Sequence, residues 1–352
     1  MLQENEKTIS NILKKYIDPY HTISIIGTAK NAGKTTVLNQ IIKEYKNQII
    51  ALSSIGLDGE KIDNITFRLK PRIEVYPQTI IATANDCLKE CYFAFKILEK
   101  TSIRTPLGEI IIIEALTKGL ALIAGPSTIN SMMNIIDKFK KYNVTKILID
   151  GALFRKSIAS FKIADAAILS TGASYSRNVD KVVEDTTLIL EELMLKTVDD
   201  KLYTLLEKEK ELIVMDKIYN KTIIKLDTLL NNEKKVKKYL TKNSKYLYLP
   251  GALSNKLIQV VINKRFELKE LTIIVKDATH IIADTLYLEK LKLTNTKLLV
   301  INKINVLFLT YNPHSSKGYE FDNDEFKQKL KQKIKLPIIN VLKDVEWILW
   351  VN

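Results

Sequence analysis

The stretch that most constrains the fold is Ser24–Thr36, SIIGTAKNAGKTT, where an apolar run meets a small polar loop. The β-branched run predicts a strand, and apolar positions at helical spacing after Lys34 predict a helix. Glycine and small residues let successive backbone N–H groups face phosphate oxygens, while a Lys-Thr pair at the helix start supplies an ammonium and a hydroxyl. We therefore interpret the segment as a phosphate-binding loop between a strand and a helix.

The expected nucleotide-binding residues are those of the loop and of the first helical turn. They are Gly27, Thr28, Lys30, Asn31, Ala32, Gly33, Lys34, Thr35 and Thr36. Five residues separate Gly27 from Gly33, whereas four are usual, so Thr28 stands where the first glycine is expected. Lys30 could contact a phosphate or equally be a solvated lysine. The alternative for the whole segment is a strand–helix turn that spells Gly-Lys-Thr by chance in a lysine-rich chain.

Four residues are candidates for catalysis or for binding Mg²⁺. Lys34 would contact the β- and γ-phosphates, and Thr35 would offer its hydroxyl to Mg²⁺, which needs only one or two protein ligands besides phosphate. Asp150 ends the apolar run KILID and fits a second ligand, although it could instead cap the turn before Gly151. Asp58 follows the second predicted strand and could reach Mg²⁺ or orient water, although Asp-Gly also spells a plain turn.

Apolar strands alternate with amphipathic helices along the chain, which predicts an α/β fold with a mainly parallel sheet. We expect a P-loop NTPase domain over residues 1–197 and a smaller C-terminal α/β domain over residues 198–352. The charged stretch KTVDDKLYTLLEKEKE marks the boundary between them. A helix is expected over about residues 87–100.

The chain has 352 residues and a formal net charge of +14, which raises the question of nucleic acid or an anionic membrane. The excess is almost all lysine spread along the chain, whereas nucleic-acid readers cluster Arg and Lys on one element, so we consider nucleic acid an unlikely partner. The sequence has no run of about 18 apolar residues, so no membrane span is expected. Two cysteines fit a reducing compartment, and we expect a cytoplasmic protein.

One segment, Asn302–Asn305 (NKIN), bears on whether the nucleotide is ATP or GTP. It mimics the Asn-Lys-x-Asp pattern that reads guanine, but its fourth residue is asparagine and lacks the paired acceptors of a carboxylate. The segment also falls in the expected second domain, so we favour ATP over GTP. Polar residues also follow the predicted strands of that domain, including His280, Asn312 and His314, and loop hydrogen bonding accounts for them better than a metal site.

The loop GTAKNAGKTT has the spacing found in dethiobiotin synthetase and in MinD-like NTPases, and KNAGKTT is similar to the loop of molybdopterin-guanine dinucleotide accessory NTPases. A longer resemblance runs through GTAKNAGKTT, SIGLDGEKID, LKPRI, LIAGPST, ILIDGALFRKS, AILSTGAS, VKDATH, INVLFLTYNP and GYEFD. Together these segments resemble the P-loop subunit that accompanies lysine 5,6-aminomutase in lysine-fermenting anaerobes and acts as a reactivase component.

That resemblance implies a P-loop ATPase that reactivates an adenosylcobalamin-dependent aminomutase by ATP-driven release of the damaged cofactor. It implies ATP and Mg²⁺ as cofactors, and the aminomutase and a second reactivase subunit as partners. The functional residues that carry over are Gly27, Gly33, Lys34 and Thr35, and further Asp58 and Asp150. The alternative is an ATP-dependent small-molecule ligase or kinase similar to dethiobiotin synthetase, with Lys70 as a cation beside the substrate.

Overall fold

The computed structural model describes residues 13–55, 72–153, 163–226, 232–268 and 270–340. Within them the chain forms a nine-stranded, mostly parallel sheet, a smaller five-stranded mixed sheet and a two-stranded ribbon. The prediction of an α/β fold with a mainly parallel sheet and a second, smaller α/β part is therefore confirmed at this level.

The strands, numbered in chain order, are β1 (Thr22–Gly27), β2 (Ile50–Ile55), β3 (Ile73–Val75), β4 (Ile80–Ala84), β5 (Phe95–Thr105), β6 (Gly108–Ala115), β7 (Gly119–Ala121), β8 (Lys146–Leu153), β9 (Ala166–Gly172), β10 (Leu212–Met215), β11 (Lys221–Ile224), β12 (Tyr246–Leu249), β13 (Thr272–Val275), β14 (Lys297–Val300), β15 (Val306–Asn312) and β16 (Ile338–Ile339). The helices are α1 (Lys34–Glu44), α2 (Ile129–Phe139), α3 (Val179–Leu193), α4 (Asp200–Leu206), α5 (Glu233–Tyr239), α6 (Asn255–Asn263), α7 (Thr285–Lys292) and α8 (Asn323–Lys333).

The large sheet has the order β16-β15-β9-β1-β8-β2-β4-β6-β5. The strands from β16 to β4 run parallel, and only β6 and β5 are antiparallel additions. Every residue of β1 and of β9 is buried, as expected for central parallel strands covered on both faces. The carboxyl ends of seven strands therefore meet at one edge, where ligands of open α/β sheets bind.

Helix α1 follows β1 and buries Val37, Leu38, Ile41 and Ile42 on one side. These side chains recur every three or four residues, so they form a single apolar stripe. They join a core cluster that includes residues of β1, β2, β8 and β9, and this packing fixes where the helix begins. The helix predicted from Lys34 onward is confirmed.

The helix predicted over about residues 87–100 is wrong. Residues Asn85–Glu90 form a short 3₁₀ helix, and strand β5 begins at Phe95 and pairs antiparallel with β6. The pairing is irregular between Ile97 and Glu99 and again between Lys100 and Arg104. Such bulges interrupt the strict alternation of a strand, and β5 is an exposed edge strand, so its sequence pattern does not display a period of two.

The chain divides into two compact units, Met1–Thr187 with Asn305–Asn352, and Leu188–Ile304. The second unit contains the mixed sheet in the order β11-β10-β12-β13-β14, in which β12, β13 and β14 are parallel. The expected division at residue 197 differs from this one, because β15 pairs with β9 and β16 pairs with β15. Residues 305–340 therefore belong to the large sheet, through a long-range pairing that local sequence patterns do not reveal.

Among the described residues, none of the helices is both long and apolar enough to cross a bilayer.

The central strands should carry most of the stability of the first unit. Ile168 in β9 is completely buried, whereas Ile97 in β5 is 53% exposed. We expect Ile168→Ala to lower the free energy of unfolding by about 2–5 kcal/mol, because it removes buried methylenes and leaves a cavity. The same substitution at Ile97 should cost less than about 1 kcal/mol. Hydrogen exchange of peptides from β8 and β9 measures both, and equal effects would contradict the assignment of the core.

Candidate functional site

Strand β1 delivers the phosphate loop, residues 28–33, to the carboxyl edge of the sheet. It is paired with β8 on one side and with β9 on the other, so its last residue, Gly27, is held in register from both sides. A Cβ atom at Gly27 would lie 2.9 Å from Cδ and 3.1 Å from Nζ of Lys34. The Lys34 side chain therefore folds back across the end of β1, and glycine leaves the space for it.

The turn into α1 depends on left-handed backbone at two positions. Gly33 has φ 97° and immediately precedes the helix, and Asn31 has φ 60°. No described side chain caps the start of α1, whereas Thr128 caps α2 and Ser254 caps α6 by accepting backbone hydrogen bonds. Uncapped N–H groups at a helix start, together with the positive end of its dipole, form a site suited to an anion.

The Lys34 ammonium is already placed inside the loop. Its Nζ donates to the backbone oxygen of Ala29 at 3.2 Å. Burial lowers the pKa of Lys34 below the ordinary lysine value, the nearby carboxylate of Asp150 acts to raise it, and Lys30 lowers it further. The ammonium is thus a partly desolvated cation whose charge a phosphate group would stabilise.

Thr28 has a structural role that its position in the motif does not announce. Its backbone N–H donates to the Ser170 oxygen at 2.9 Å, and its hydroxyl lies 3.1 Å from that of Thr171. The Thr171 hydroxyl is in turn 2.7 Å from that of Thr186. These contacts attach the start of the phosphate loop to β9, so Thr28 contacts the sheet through both its backbone N–H and its hydroxyl.

Asp150 lies on β8, next to the loop strand, with its Cα paired with that of Ile25 in β1 and that of Ser54 in β2. The expectation that Asp150 ends its strand or caps a turn before Gly151 is wrong, because β8 continues to Leu153. The structure therefore brings Lys34 and Asp150 into electrostatic contact at the same edge of the sheet. A Cβ atom at Gly151 would lie 2.6 Å from the Ile25 oxygen, so the strand must pass close to β1 there. Thr35 follows Lys34 in the first turn of α1.

A threonine hydroxyl and a carboxylate form an oxygen donor set that fits Mg²⁺ beside phosphates. Asp58 and Lys70 lie outside the described residues. Within the described part of the chain, His, Cys, Asp and Glu side chains do not assemble into groups of three or more that could hold a metal ion. A magnesium site here would therefore depend on Thr35, Asp150 and phosphate oxygens rather than on a dedicated carboxylate cage.

The structure adds residues from β15 and the segment after it that the sequence placed in another domain. Asn312 Nδ2 donates to the Asn31 oxygen at 3.4 Å, and Asn31 Nδ2 donates to Ser316 Oγ at 3.1 Å. Ser174 Oγ, after β9, also donates to the Asn31 oxygen, at 3.3 Å. The left-handed residue of the phosphate loop is therefore held by hydrogen bonds from two other strand ends.

A groove lies beside the start of α1, next to these contacts. It is lined by Ala32, Gly33, Thr36, Val37, Thr310, Tyr311, Asn312 and Asn340. The amide of Asn312 stands beside an apolar wall there, and an amide can both donate and accept hydrogen bonds. Asn340 is 3% exposed, and its Nδ2 donates to Asn323 Oδ1 at 2.9 Å. The strand-end position of Asn312 was visible in TYNPHSS, but its nearness to Gly33 was not.

The Asn302–Asn305 segment does not contribute to this groove. Asn305 precedes β15, at the opposite end of that strand from Asn312, and its Nδ2 donates to the Asp165 oxygen at 3.0 Å. His314 Nδ1 lies 2.6 Å from Glu320 Oε2. In the second unit, His280 Nδ1 lies 3.0 Å from Asp277 Oδ1 in a turn that Asp277 caps. Both histidines are thus engaged in local hydrogen bonds.

Comparison with family models, with curated proteins and with solved structures gave no match for this chain.

Because burial lowers the pKa of Lys34, binding of a nucleotide at this loop would be linked to proton uptake. Phosphate oxygens favour the charged ammonium, so binding raises that pKa again, and a proton must be taken up wherever free Lys34 is deprotonated. We expect the uptake to be small while free Lys34 is protonated, and to rise with pH until Lys34 also deprotonates in the complex. Calorimetric titration with ATP in two buffers of different ionisation heat measures it.

Lys30→Met is the matched control for this experiment, because it removes a neighbouring ammonium and leaves Lys34 in place. The variant should retain the rise in uptake with pH, shifted to higher pH because Lys30 helps to depress the Lys34 pKa. Uptake that does not vary with pH would contradict the placement of Lys34 in the phosphate site.

Proposed function

We propose that this chain is a Mg²⁺-dependent ATPase that reactivates an adenosylcobalamin-dependent aminomutase, as its resemblance to a reactivase subunit implies. The observation that most supports nucleotide binding is the start of α1. There an uncapped helix follows left-handed Gly33, and the Lys34 ammonium lies within the loop under the influence of Asp150. The partner and the task are inferred from the sequence resemblance alone.

The residues of the site divide the work of binding. The N–H groups of the first turn of α1 would hold phosphate oxygens, and Lys34 would neutralise charge that develops on the β- and γ-phosphates. Thr35 and Asp150 would hold Mg²⁺, which screens the phosphates and polarises them. Thr28 and Asn31 keep the loop in shape through their hydrogen bonds to β9 and to the segment after β15.

Coupling to a partner requires that the nucleotide state alter a surface. Asn31 connects the phosphate loop with Asn312 and Ser316 through hydrogen bonds. A change in loop conformation would therefore be transmitted to the segment after β15. Loss of the γ-phosphate releases ordered segments in other nucleotide switches. In this proposal, ATP binding and hydrolysis drive such a change, and the partner exchanges its damaged cofactor.

The ligase or kinase alternative needs donors for a second substrate beside the phosphate site. On the β2 side of Asp150, the hydroxyls of Ser53 and Ser54 donate to the backbone oxygens of Ala82 and Ile123. A Cβ atom at Gly125 would lie 1.9 Å from the Ser54 oxygen, so this side is tightly packed. The described residues on this side are engaged in packing and do not offer donors to a second substrate. This favours the ATPase over the ligase or kinase.

The decisive experiment measures phosphate release from Mg-ATP with and without aminomutase that contains inactivated cobalamin. We expect slow release from the chain alone, stimulation by the loaded aminomutase, and recovery of aminomutase activity when intact coenzyme is supplied. Lys34→Ala should lower the stimulated rate by a factor on the order of 10², because it removes the cation that faces the transferred phosphate. Lys30→Ala, in the same loop, should retain most of the rate.

Robust turnover of a metabolite without a protein partner would instead establish the ligase or kinase. Absence of ATP binding, with Lys34→Ala identical to the native chain, would disprove both.

The groove lined by Asn312 and Asn340 should recognise the base. We expect Asn312→Ala to weaken ATP binding about tenfold, the effect of losing hydrogen bonds to a buried base. Because Asn312 also supports Asn31, tripolyphosphate serves as a second ligand that lacks a base. Calorimetry should show a smaller loss for tripolyphosphate than for ATP. Asn305→Ala is the matched control and should bind both normally, and an equal loss for the two ligands would refute the base-reading role.

A further inference from the structure

The expectation that the excess of lysine is spread evenly along the chain is wrong within the second unit, where it is concentrated in one stretch. Residues 232–268 contain nine basic and two acidic side chains, whereas the remainder of Leu188–Ile304 contains thirteen of each sign. The basic residues are Lys234, Lys235, Lys237, Lys238, Lys242, Lys245, Lys256, Lys264 and Arg265. The unit is therefore neutral apart from this stretch, which folds into α5, β12 and α6.

The two helices place most of these charges on a continuous surface. Val236 and Leu240 belong to the same buried cluster as Leu257, Ile258 and Val261 of α6. Lys264 Nζ donates to the Leu240 oxygen at 2.5 Å, so the carboxyl ends of α5 and α6 adjoin. The exposed residues of α5, of the turn that follows it and of the segment after α6 form what we call the cationic face: Lys234, Lys235, Lys237, Lys238, Tyr239, Lys242, Arg265 and Phe266.

Neither acidic residue of the stretch neutralises this face. Glu233 is only 6% exposed and lies near the Ser254 hydroxyl, in the interior of the unit. Glu267 pairs with Lys264 at 3.0 Å. Among the described residues, no carboxylate pairs with the four lysines of α5, and two of these, Lys234 and Lys235, lie in the first turn, where the helix dipole disfavours cations. Lys237 and Lys238 lie in the last turn, where the dipole favours cations, so helix stability explains only half of this charge.

Two exposed aromatic rings accompany the lysines. Phe266 is 86% exposed and Tyr239 is 45% exposed. The Arg265 guanidinium lies 4.3 Å from the centre of the Phe266 ring. Aromatic residues and arginine are enriched in protein–protein interfaces, where they act as anchors. An apolar ring as exposed as that of Phe266 would be stabilised if a partner covered it and removed it from water.

We propose that the cationic face docks an acidic protein surface. The exposed rings beside the lysines favour a protein as the anionic partner, because aromatic anchors are enriched in protein–protein interfaces and a folded acidic protein offers apolar side chains to contact them. The lysines supply the charge complementarity, since an ammonium pairs with carboxylates as a point charge.

The docking surface extends the account of function beyond the nucleotide site. Charged surfaces accelerate association and select partners, while aromatic anchors supply affinity. The inference concerns the second unit alone, so it is tested without nucleotide and stands or fails independently of ATP binding. Lys34→Ala should leave docking unchanged.

The experiment measures binding of the full chain to four labelled or suspended probes at about 0.15 M salt. They are poly-L-glutamate, a random copolymer of glutamate and tyrosine, a duplex DNA of random sequence, and vesicles of phosphatidylserine and phosphatidylcholine. We expect the copolymer to bind most tightly. The double variant Lys235→Glu/Lys238→Glu should weaken its binding at least about tenfold, since two attractions become repulsions.

The matched control is Lys208→Glu/Lys210→Glu, which makes the same charge change at exposed lysines of the same unit, outside the stretch. It should retain copolymer binding within about twofold. Phe266→Ser should remove the advantage of the copolymer over polyglutamate and leave polyglutamate binding unchanged. Circular dichroism of each variant verifies that it is folded.

Three outcomes would overturn the proposal. Tighter binding of DNA or of vesicles, lost in the double variant, would assign the face to a nucleic acid or a membrane. Equal losses in the double variant and in its control would show that only net charge matters. Failure of every probe to bind would make the face a solvated surface.

Discussion

The parallel pairing of β1 with β8 and β9 is the constraint on which the rest of the site depends. It fixes Gly27 in register on both sides, so the phosphate loop begins at a defined position on the carboxyl edge of the sheet. The same pairing puts Asp150 on one side of the loop and Gly172 on the other. Because parallel strands end at a common edge, groups far apart in sequence converge there without any special loop geometry.

Burying the Lys34 ammonium at the end of β1 has an energetic cost, and several neighbouring groups reduce that cost. Burial disfavours the charged form of Lys34, and Asp150 offsets part of that penalty. The Ala29 oxygen accepts one hydrogen bond from the ammonium, and Gly27 provides room for its methylene chain. The site is thus pre-organised for an anion, since the cation is held in place before an anion arrives.

Local patterns were enough to predict the elements around the loop. The strand before Gly27, the helix from Lys34 and the apolar run that ends in Asp150 all follow from periodicity and turn residues, and the structure places them together. Strand β5 was misread because bulges and an exposed edge break its alternation. The position of residues 305–340 could not be predicted, because the pairing of β15 with β9 joins segments about 140 residues apart in the register Asn312 with Gly172.

That long-range pairing also determines the order in which the first unit can be completed. Gly172 is in such close contact with β15 that a Cβ atom there would lie 2.4 Å from the Asn312 oxygen. During synthesis, β9 leaves the ribosome long before its neighbour, and the whole of Leu188–Ile304 is made in between. The second unit can therefore fold while one edge of β9 is still open. The groove beside α1 is complete only once the last described strands are in place.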